Sequence, residues 1–296
     1  MRVSRFNAHI TPERLAKDRS KAVHRALKED VGKGDVTAAL VSATELARAT
    51  VVVREDAVLC GRDWFDAVFA ELDSDISIDW AAADGDVLEA DQVVCRLSGP
   101  ARALLTGERT ALNFLQTLSG TATVARRYSD ALAGTGCRVL DTRKTIPGLR
   151  LAQKYAARIG GAVNHRIGLF DAILIKENHI ASAGSIADAV RAARASSPAL
   201  PVEIEVESLA ELERALDAGV ERVLLDNFSL TDLEQAVAIN RAAAESAELE
   251  ASGGVEFDDL AGIAATGVDF ISTGALTKHL RATDFSMRFA FERKGG

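Results

Sequence analysis

From about residue 107 onward, short β-branched apolar runs alternate with alanine-rich helical stretches. That alternation limits the fold more than any other feature of the chain. The strand candidates lie at 138–141, 172–176, 202–206, 222–226, 249–252 and 270–273. Helical patterns at 187–195, 209–218, 230–244 and 257–265 separate several of them. Strand, helix, strand, helix along one chain implies a parallel sheet. Six or so such units predict an incomplete TIM-like α/β barrel rather than a short open sheet.

The region before residue 107 reads differently, as an α/β sandwich. Residues 11–30 look helical, with Leu15, Val23, Ala26 and Leu27 near helical spacing. Thr11 followed by Pro12 is a plausible cap with proline at the first helical position. A glycine-punctuated turn, EDVGKGDVT (29–37), comes next. Short strands are expected at 49–53 and 58–60, a helix at 64–72, a turn at 83–86 and a strand pair across 87–97. A helix is expected at 108–118, starting after Gly107.

The chain has 296 residues, enough for one large domain or two modest ones, and its 48% hydrophobic content supplies a sizeable core. A net charge of -8 makes electrostatic binding of nucleic acid a poor fit, so any anionic substrate must meet a local concentration of cations. Cys60, Cys95 and Cys137 are odd in number, widely spaced and form no CxxC pair. They are expected to be small buried residues, neither a disulfide framework nor a zinc site. The polar opening of the chain has no apolar core of a leader, and no stretch has the length of a membrane span. The expected location is the cytoplasm.

What terminates the strands is informative. They end in Asp141-Thr142-Arg143-Lys144-Thr145, in Lys176-Glu177-Asn178-His179, in Glu205-Val206-Glu207, in Asp226-Asn227, in Ser252-Gly253-Gly254 and in Ser272-Thr273-Gly274. In a barrel the C-terminal strand ends converge on one face, where active sites lie. A single carboxylate after a strand is more often a turn former or a helix cap, and a lone Ser-Gly-Gly is usually a turn. Turns alone explain the joint pattern poorly. Glycines after the late strands suit a phosphate, because backbone N–H groups approach it closely. Glu205 and Asp226 suit Mg2+, which takes a few carboxylates plus substrate phosphate oxygens. His165-Arg166, after Gly160-Gly161-Ala162-Val163-Asn164, forms a second cluster. Arg109, Arg143 and Arg166 are each suited to gripping a carboxylate with two parallel bonds. Arg150, Lys154 and Arg158 repeat every four residues and read mainly as a solvated helix face.

Through DTRKTIP (141–147) and NHRIGLFDAILIKENHI (164–180) the chain resembles the quinolinate phosphoribosyltransferases. The similarity extends over nearly the whole length, through EDVGKGDVT, GERTALNFLQTLSGTAT (107–123), EVES (205–208), LLDNF (224–228), EASGGV (250–255) and ISTGALTKH (271–279). The resemblance implies an N-terminal α/β sandwich over 1–116, joined by 277–296, and an incomplete barrel over 117–276, with a last helix returning to the first domain. It implies a homodimer in which Arg109 reaches the partner's site, with larger assemblies in some members. It assigns Arg109, Arg143, His165, Arg166 and Lys176 to quinolinate. It assigns Lys144, Glu205, Asp226, Ser252, Gly253 and Gly274 to phosphoribosyl pyrophosphate and its Mg2+, and Gly254 and Thr273 stand in the same turns. Ala162-Val163, where many relatives are richer in glycine, and Thr277-Lys278-His279 depart slightly from the family pattern.

The expected chemistry is transfer of the phosphoribosyl group to the ring nitrogen of quinolinate, then loss of CO2, within NAD biosynthesis. Lys144, Lys176, Glu205 and Asp226 are the expected catalytic groups and Mg2+ the only cofactor. The rivals are a transferase for another aromatic acid, a barrel aldolase using Lys176 as a Schiff-base nucleophile, and a non-catalytic binder of phosphorylated metabolites. The number of arginines favours a dicarboxylate.

Overall fold

The computed structural model describes residues 10–291. The polar opening before residue 10 and the end of the tail from residue 292 lie outside the described residues. In chain order the first elements are α1 (Pro12–Val31), β1 (Leu46–Val53), β2 (Ala57–Val58), α2 (Arg62–Leu72), β3 (Ser77–Trp80), β4 (Val87–Leu88), β5 (Val93–Pro100) and α3 (Ala101–Ala131). Next come β6 (Arg138–Leu140), α4 (Arg150–Ile159), β7 (Ile173–Ile175), α5 (Glu177–Ala183), α6 (Ile186–Ser196), β8 (Val202–Val206), α7 (Leu209–Asp217) and β9 (Arg222–Asp226). The last are α8 (Leu230–Ala242), β10 (Glu248–Ser252), α9 (Leu260–Ala265), β11 (Phe270–Ser272), α10 (Ala275–Lys278) and β12 (Phe285–Phe291). The chain divides into two compact units.

The first unit holds residues 10–126, 146–161 and the described residues from 279 on. Its antiparallel sheet has the order β12-β1-β5-β3. Helix α1 starts where the Thr11 hydroxyl accepts the Arg14 N–H at 3.2 Å and Pro12 needs no amide partner. Trp64, Phe65, Val68 and Phe69 of α2 are buried. Helix α3 begins at Ala101, not after Gly107. Gly107 lies inside it as a point of close approach, where a Cβ would come within 2.6 Å of the Phe69 ring. The last described element is the strand β12, paired with β1, in place of the expected returning helix. The unit takes in 117–126, because α3 runs on as one helix past the expected boundary at 116, and it also takes in 146–161. The three cysteines are buried and free; burial raises all three thiols, Cys137 to about 12.

The second unit holds residues 127–145 and 162–278. Its six strands are all parallel, in the order β6-β11-β10-β9-β8-β7. Beyond β6, Leu140 makes one more parallel bridge to Val163. Among the described residues no ladder joins that segment to β7, so the barrel is incomplete. Helices α6, α7 and α8 each begin with a serine, Ser185, Ser208 and Ser229. Each serine oxygen accepts the amide of the acidic residue three positions on. Each cap satisfies an otherwise unpaired amide and sets where the strand's loop ends and its helix begins.

Gly160 follows α4 at a second point of close approach. A Cβ there would lie 2.3 Å from the Ala122 carbonyl oxygen and 2.6 Å from the Ala125 Cβ. Gly160→Ala is expected to lower stability by about 1–3 kcal/mol through overpacking. The urea midpoint reads this as a downward shift with unchanged slope.

Candidate active site

The parallel sheet brings the C-terminal ends of its strands to one side of the second unit, and the side-chain period of two decides what faces inward. Glu203 and Glu205 share one face of β8; Arg222, Leu224 and Asp226 share one face of β9; Glu248, Glu250 and Ser252 share one face of β10. Register stacks these rows. Glu203 pairs with Arg222 and Glu205 with Leu224, and on the other side Glu248, Glu250 and Ser252 pair with Arg222, Leu224 and Asp226.

At the strand ends, the Lys176 ammonium and the Glu205 carboxylate form an ion pair. The Asp226 carboxylate accepts the Asn227 side-chain amide at 2.8 Å, and the Asn227 N–H reaches the Ser252 carbonyl at 3.0 Å. Asn227 adopts a left-handed backbone with φ 57°. Gly253 makes this turn possible: a Cβ there would lie 2.2 Å from the Asn227 Oδ1. Gly274 is a close-approach glycine too, with its absent Cβ 2.7 Å from the Lys144 Cδ. The Thr277 hydroxyl donates to the Lys144 carbonyl at 2.8 Å, fixing the backbone that carries that lysine. Thr273 is buried; its hydroxyl donates to the Val255 carbonyl at 3.2 Å and accepts from the Ala275 N–H at 3.1 Å. Gly254, at φ 61°, is exposed beside Gly253.

The turn after Val163 carries the second cluster. Asn164, His165 and Arg166 are all buried. Burial holds the Arg166 guanidinium below its usual range, and the neighbouring Arg143 adds to the effect. Arg143 itself is exposed. Two guanidiniums so close favour an anion, whose arrival offsets their repulsion. Arg109 is exposed on α3 in the first unit, so the second unit by itself gathers the expected groups except Arg109.

The sequence reading misses the layer beneath. Glu203, Glu250 and Arg222 are essentially inaccessible. Arg222 pairs with Glu248 at 2.7 Å and lies 3.7 Å from Glu250, while its guanidinium stacks over the Phe270 ring at 4.4 Å. Burial, then the nearby Glu203, pushes the Glu250 carboxyl up to about 8. Burial likewise raises Glu203, opposed by Arg222. The alternation of glutamates in VEIEV and ELEAS is the sequence signal for this layer. The His165 Nε2 lies 2.9 Å from Glu203 and 3.5 Å from Glu250, a grouping within the reach of one metal ion. The ring argues against that use. Its Nδ1 accepts the Arg166 N–H at 2.8 Å, so Nε2 carries the proton and has no lone pair for a metal. The face formed by Arg150, Lys154 and Arg158 is corrected too. Lys154 is fully buried, because α4 is enclosed on most sides, with Leu151, Ala152, Gln153, Ala156 and Ala157 also inside.

Residues 121–288 match the family model for the C-terminal domain of quinolinate phosphoribosyl transferase, and residues 35–119 match the model for its N-terminal domain. The chain belongs to the quinolinate phosphoribosyltransferase family. It is 43% identical over 272 residues to the nicotinate-nucleotide pyrophosphorylase [carboxylating] of Mycobacterium leprae, covering 90% of this chain and 95% of that one. The human protein of the same name is 41% identical over 254 residues, 85% of each chain. The nicotinate-nucleotide pyrophosphorylase structure from Francisella tularensis superposes with a TM-score of 0.91 at 45% identity, covering 97% of this chain and 100% of that one. Family membership removes the aldolase and binding-protein readings. The ion pair between Lys176 and Glu205 speaks against a neutral amine nucleophile as well.

Removing one member of the buried charge layer leaves the others uncompensated. Arg222→Met is expected to cost about 3–5 kcal/mol of stability, read from the denaturant midpoint.

Proposed function

We propose that this member of the family joins quinolinate to the phosphoribosyl group of 5-phosphoribosyl 1-pyrophosphate at the C-terminal mouth of the parallel sheet. The products are nicotinate mononucleotide, pyrophosphate and CO2, within de novo NAD biosynthesis. The observation that carries the placement is the convergence of Arg143, Lys144, Arg166 and Lys176 with two carboxylates and two glycine turns on the strand ends of one sheet.

Quinolinate carries two adjacent carboxylates, so its pocket needs several cations in fixed geometry. Arg143 and Arg166 grip these carboxylates, with Lys176 and the His165 edge beside them. Arg109 completes the set from the partner of a homodimer, a contribution that rests on the family resemblance. The ring nitrogen attacks the anomeric carbon, the C–O bond to pyrophosphate breaks, and its electron pair leaves with the pyrophosphate. Lys144 steadies the developing negative charge, and Glu205 and Asp226 face the sugar as it becomes cationic. The Ser252-Gly253-Gly254 and Thr273-Gly274 turns offer backbone amides to phosphate oxygens. In the quaternised ring the C2 carboxylate then leaves as CO2. The bonding pair stays on C2, stabilised by the adjacent positive nitrogen, and C2 takes up a proton. Positioning and electrostatics carry the rate.

Mg2+ suits the carboxylates present. Asp226 and Glu205 are hard oxygen donors on neighbouring strands, the donor class that this ion takes together with substrate phosphates. Held by these carboxylates, Mg2+ would supply positive charge to offset that on the leaving pyrophosphate. Lys176 holds Glu205 in this structure and Asn227 donates to Asp226, so either carboxylate would have to give up part of its present contact to hold the ion. Among the described residues no helix is long and apolar enough to cross a membrane. With the three free buried cysteines, this supports a cytoplasmic enzyme. The acidic net charge makes nucleic acid a poor partner, and the small anionic substrates meet a local concentration of cations at Arg143, Lys144, Arg166 and Lys176 instead.

Turnover of quinolinate with phosphoribosyl pyrophosphate and Mg2+, followed by nicotinate mononucleotide and CO2, tests the reaction. Quinolinate is expected to react and nicotinate is not. Chelation of divalent cations should lower the rate at least about a hundredfold, and added Mg2+ should restore it. Turnover of nicotinate alone would sink the substrate assignment. Arg143→Ala is expected to raise the KM for quinolinate by about 10–100-fold, the equivalent of one charged hydrogen-bonded contact. An unchanged KM would remove Arg143 from the pocket.

A further inference from the structure

Asp141 directly follows β6, two residues before Arg143, and is fully buried. A buried carboxylate is costly unless its oxygens are satisfied. Here the satisfaction comes from the turn that carries Arg166. The Asp141 Oδ2 accepts the Asn164 side-chain amide at 2.6 Å, and Oδ1 accepts the His165 N–H at 2.9 Å. Backbone bonds run alongside: Asp141 N–H to the Val163 carbonyl at 3.1 Å, and Val163 N–H to the Val139 carbonyl at 2.9 Å. From His165 the connection passes to Arg166 itself, because the imidazole Nδ1 accepts the Arg166 N–H at 2.8 Å.

We infer that Asp141 is a positioning residue for the dicarboxylate pocket: it ties the strand end that carries Arg143 to the turn that carries Arg166, and so sets the spacing of the two guanidiniums. This rests on the reading above that Arg143 and Arg166 grip quinolinate. The single parallel bridge at Leu140–Val163 is too short to hold the register by itself. Losing the carboxylate removes both bonds to the turn that carries Arg166 and leaves that spacing unfixed. Asp141 needs no contact with substrate for this role. Its oxygens are turned into the protein, toward Asn164 and the His165 amide.

The donor–acceptor pattern permits a reciprocal exchange. In Asp141→Asn one new amide opposes the Asn164 amide, donor against donor. In Asn164→Asp two carboxylates meet. In the double variant, Asp141→Asn with Asn164→Asp, the contact between the two positions is restored with the roles reversed. The amide oxygen at position 141 still accepts the His165 N–H, and the NH2 beside it donates to the new carboxylate at position 164. Each single variant is expected to raise the KM for quinolinate at least about tenfold, with the KM for phosphoribosyl pyrophosphate changing less than about twofold. The double variant is expected to recover to within about threefold of the parent. Single variants with an unchanged quinolinate KM overturn the inference. So does a double variant that folds with the parent's denaturant midpoint yet binds quinolinate no better than the worse single. If a single variant does not fold, recovery of both folding and quinolinate affinity in the double supports the inference. Arg166→Ala, measured in parallel, separates the two readings. An unchanged quinolinate KM there overturns the assignment of the pocket, and this inference with it. A raised KM there with silent Asp141 variants overturns the positioning role alone.

Discussion

Along the β9–β10 ladder Glu248 pairs with Arg222, Glu250 with Leu224 and Ser252 with Asp226, and the rest of the second unit depends on that register. A slip of β9 by one residue would turn Asp226 away from the mouth and bring Val223 and Leu225 into it. The slip is opposed from below. Arg222 is buried between Glu248 and Glu250 and stacked on Phe270, so the same slip would bury a guanidinium without partners. The charged layer inside the sheet and the charged mouth at its end are therefore set by one alignment.

The mouth itself is a balance of crowding and charge. Arg143 and Arg166 oppose one another, whereas Lys176 is matched by Glu205. The glycines at 253 and 274 stand where a neighbouring side chain fills the space of a Cβ, with Asn227 at one and Lys144 at the other. The phosphate-facing turns thus depend on glycine for two reasons. Backbone amides must be exposed to the ligand, and the side chains that serve the site must pass close to the backbone.

Much of this arrangement is legible along the chain. The strands at 202–206 and 222–226 stand where the β-branched runs place them, and the other four strands of the parallel sheet differ by one residue at one or both ends. The parallel sheet follows from the alternation itself, since a strand can return parallel to its neighbour only through a crossover. The capping of α1 by Thr11 and Pro12 is local chemistry and is read locally. Helix α3 is the clearest miss. Gly107 looks like a start signal, but its glycine is required by the approach of Phe69, a contact between residues far apart in sequence. The last described element is a strand because β1 offers it an edge, which no local pattern announces.

The sequence by itself determined the class of fold, the residue types at the strand ends and the family, because period, composition and motif are properties of neighbouring residues. The tertiary structure decided which of those residues meet. It buried Lys154, which the helical spacing had placed on a solvated face. It turned the glutamates at 203 and 250 from ordinary strand residues into buried neighbours of Arg222 and His165. It also joined Asp141 to Asn164 and His165 across more than twenty residues of chain. The reason is physical: an inaccessible charged or polar group must find its partner in space, and the partner's position is set by sheet register, not by distance along the chain.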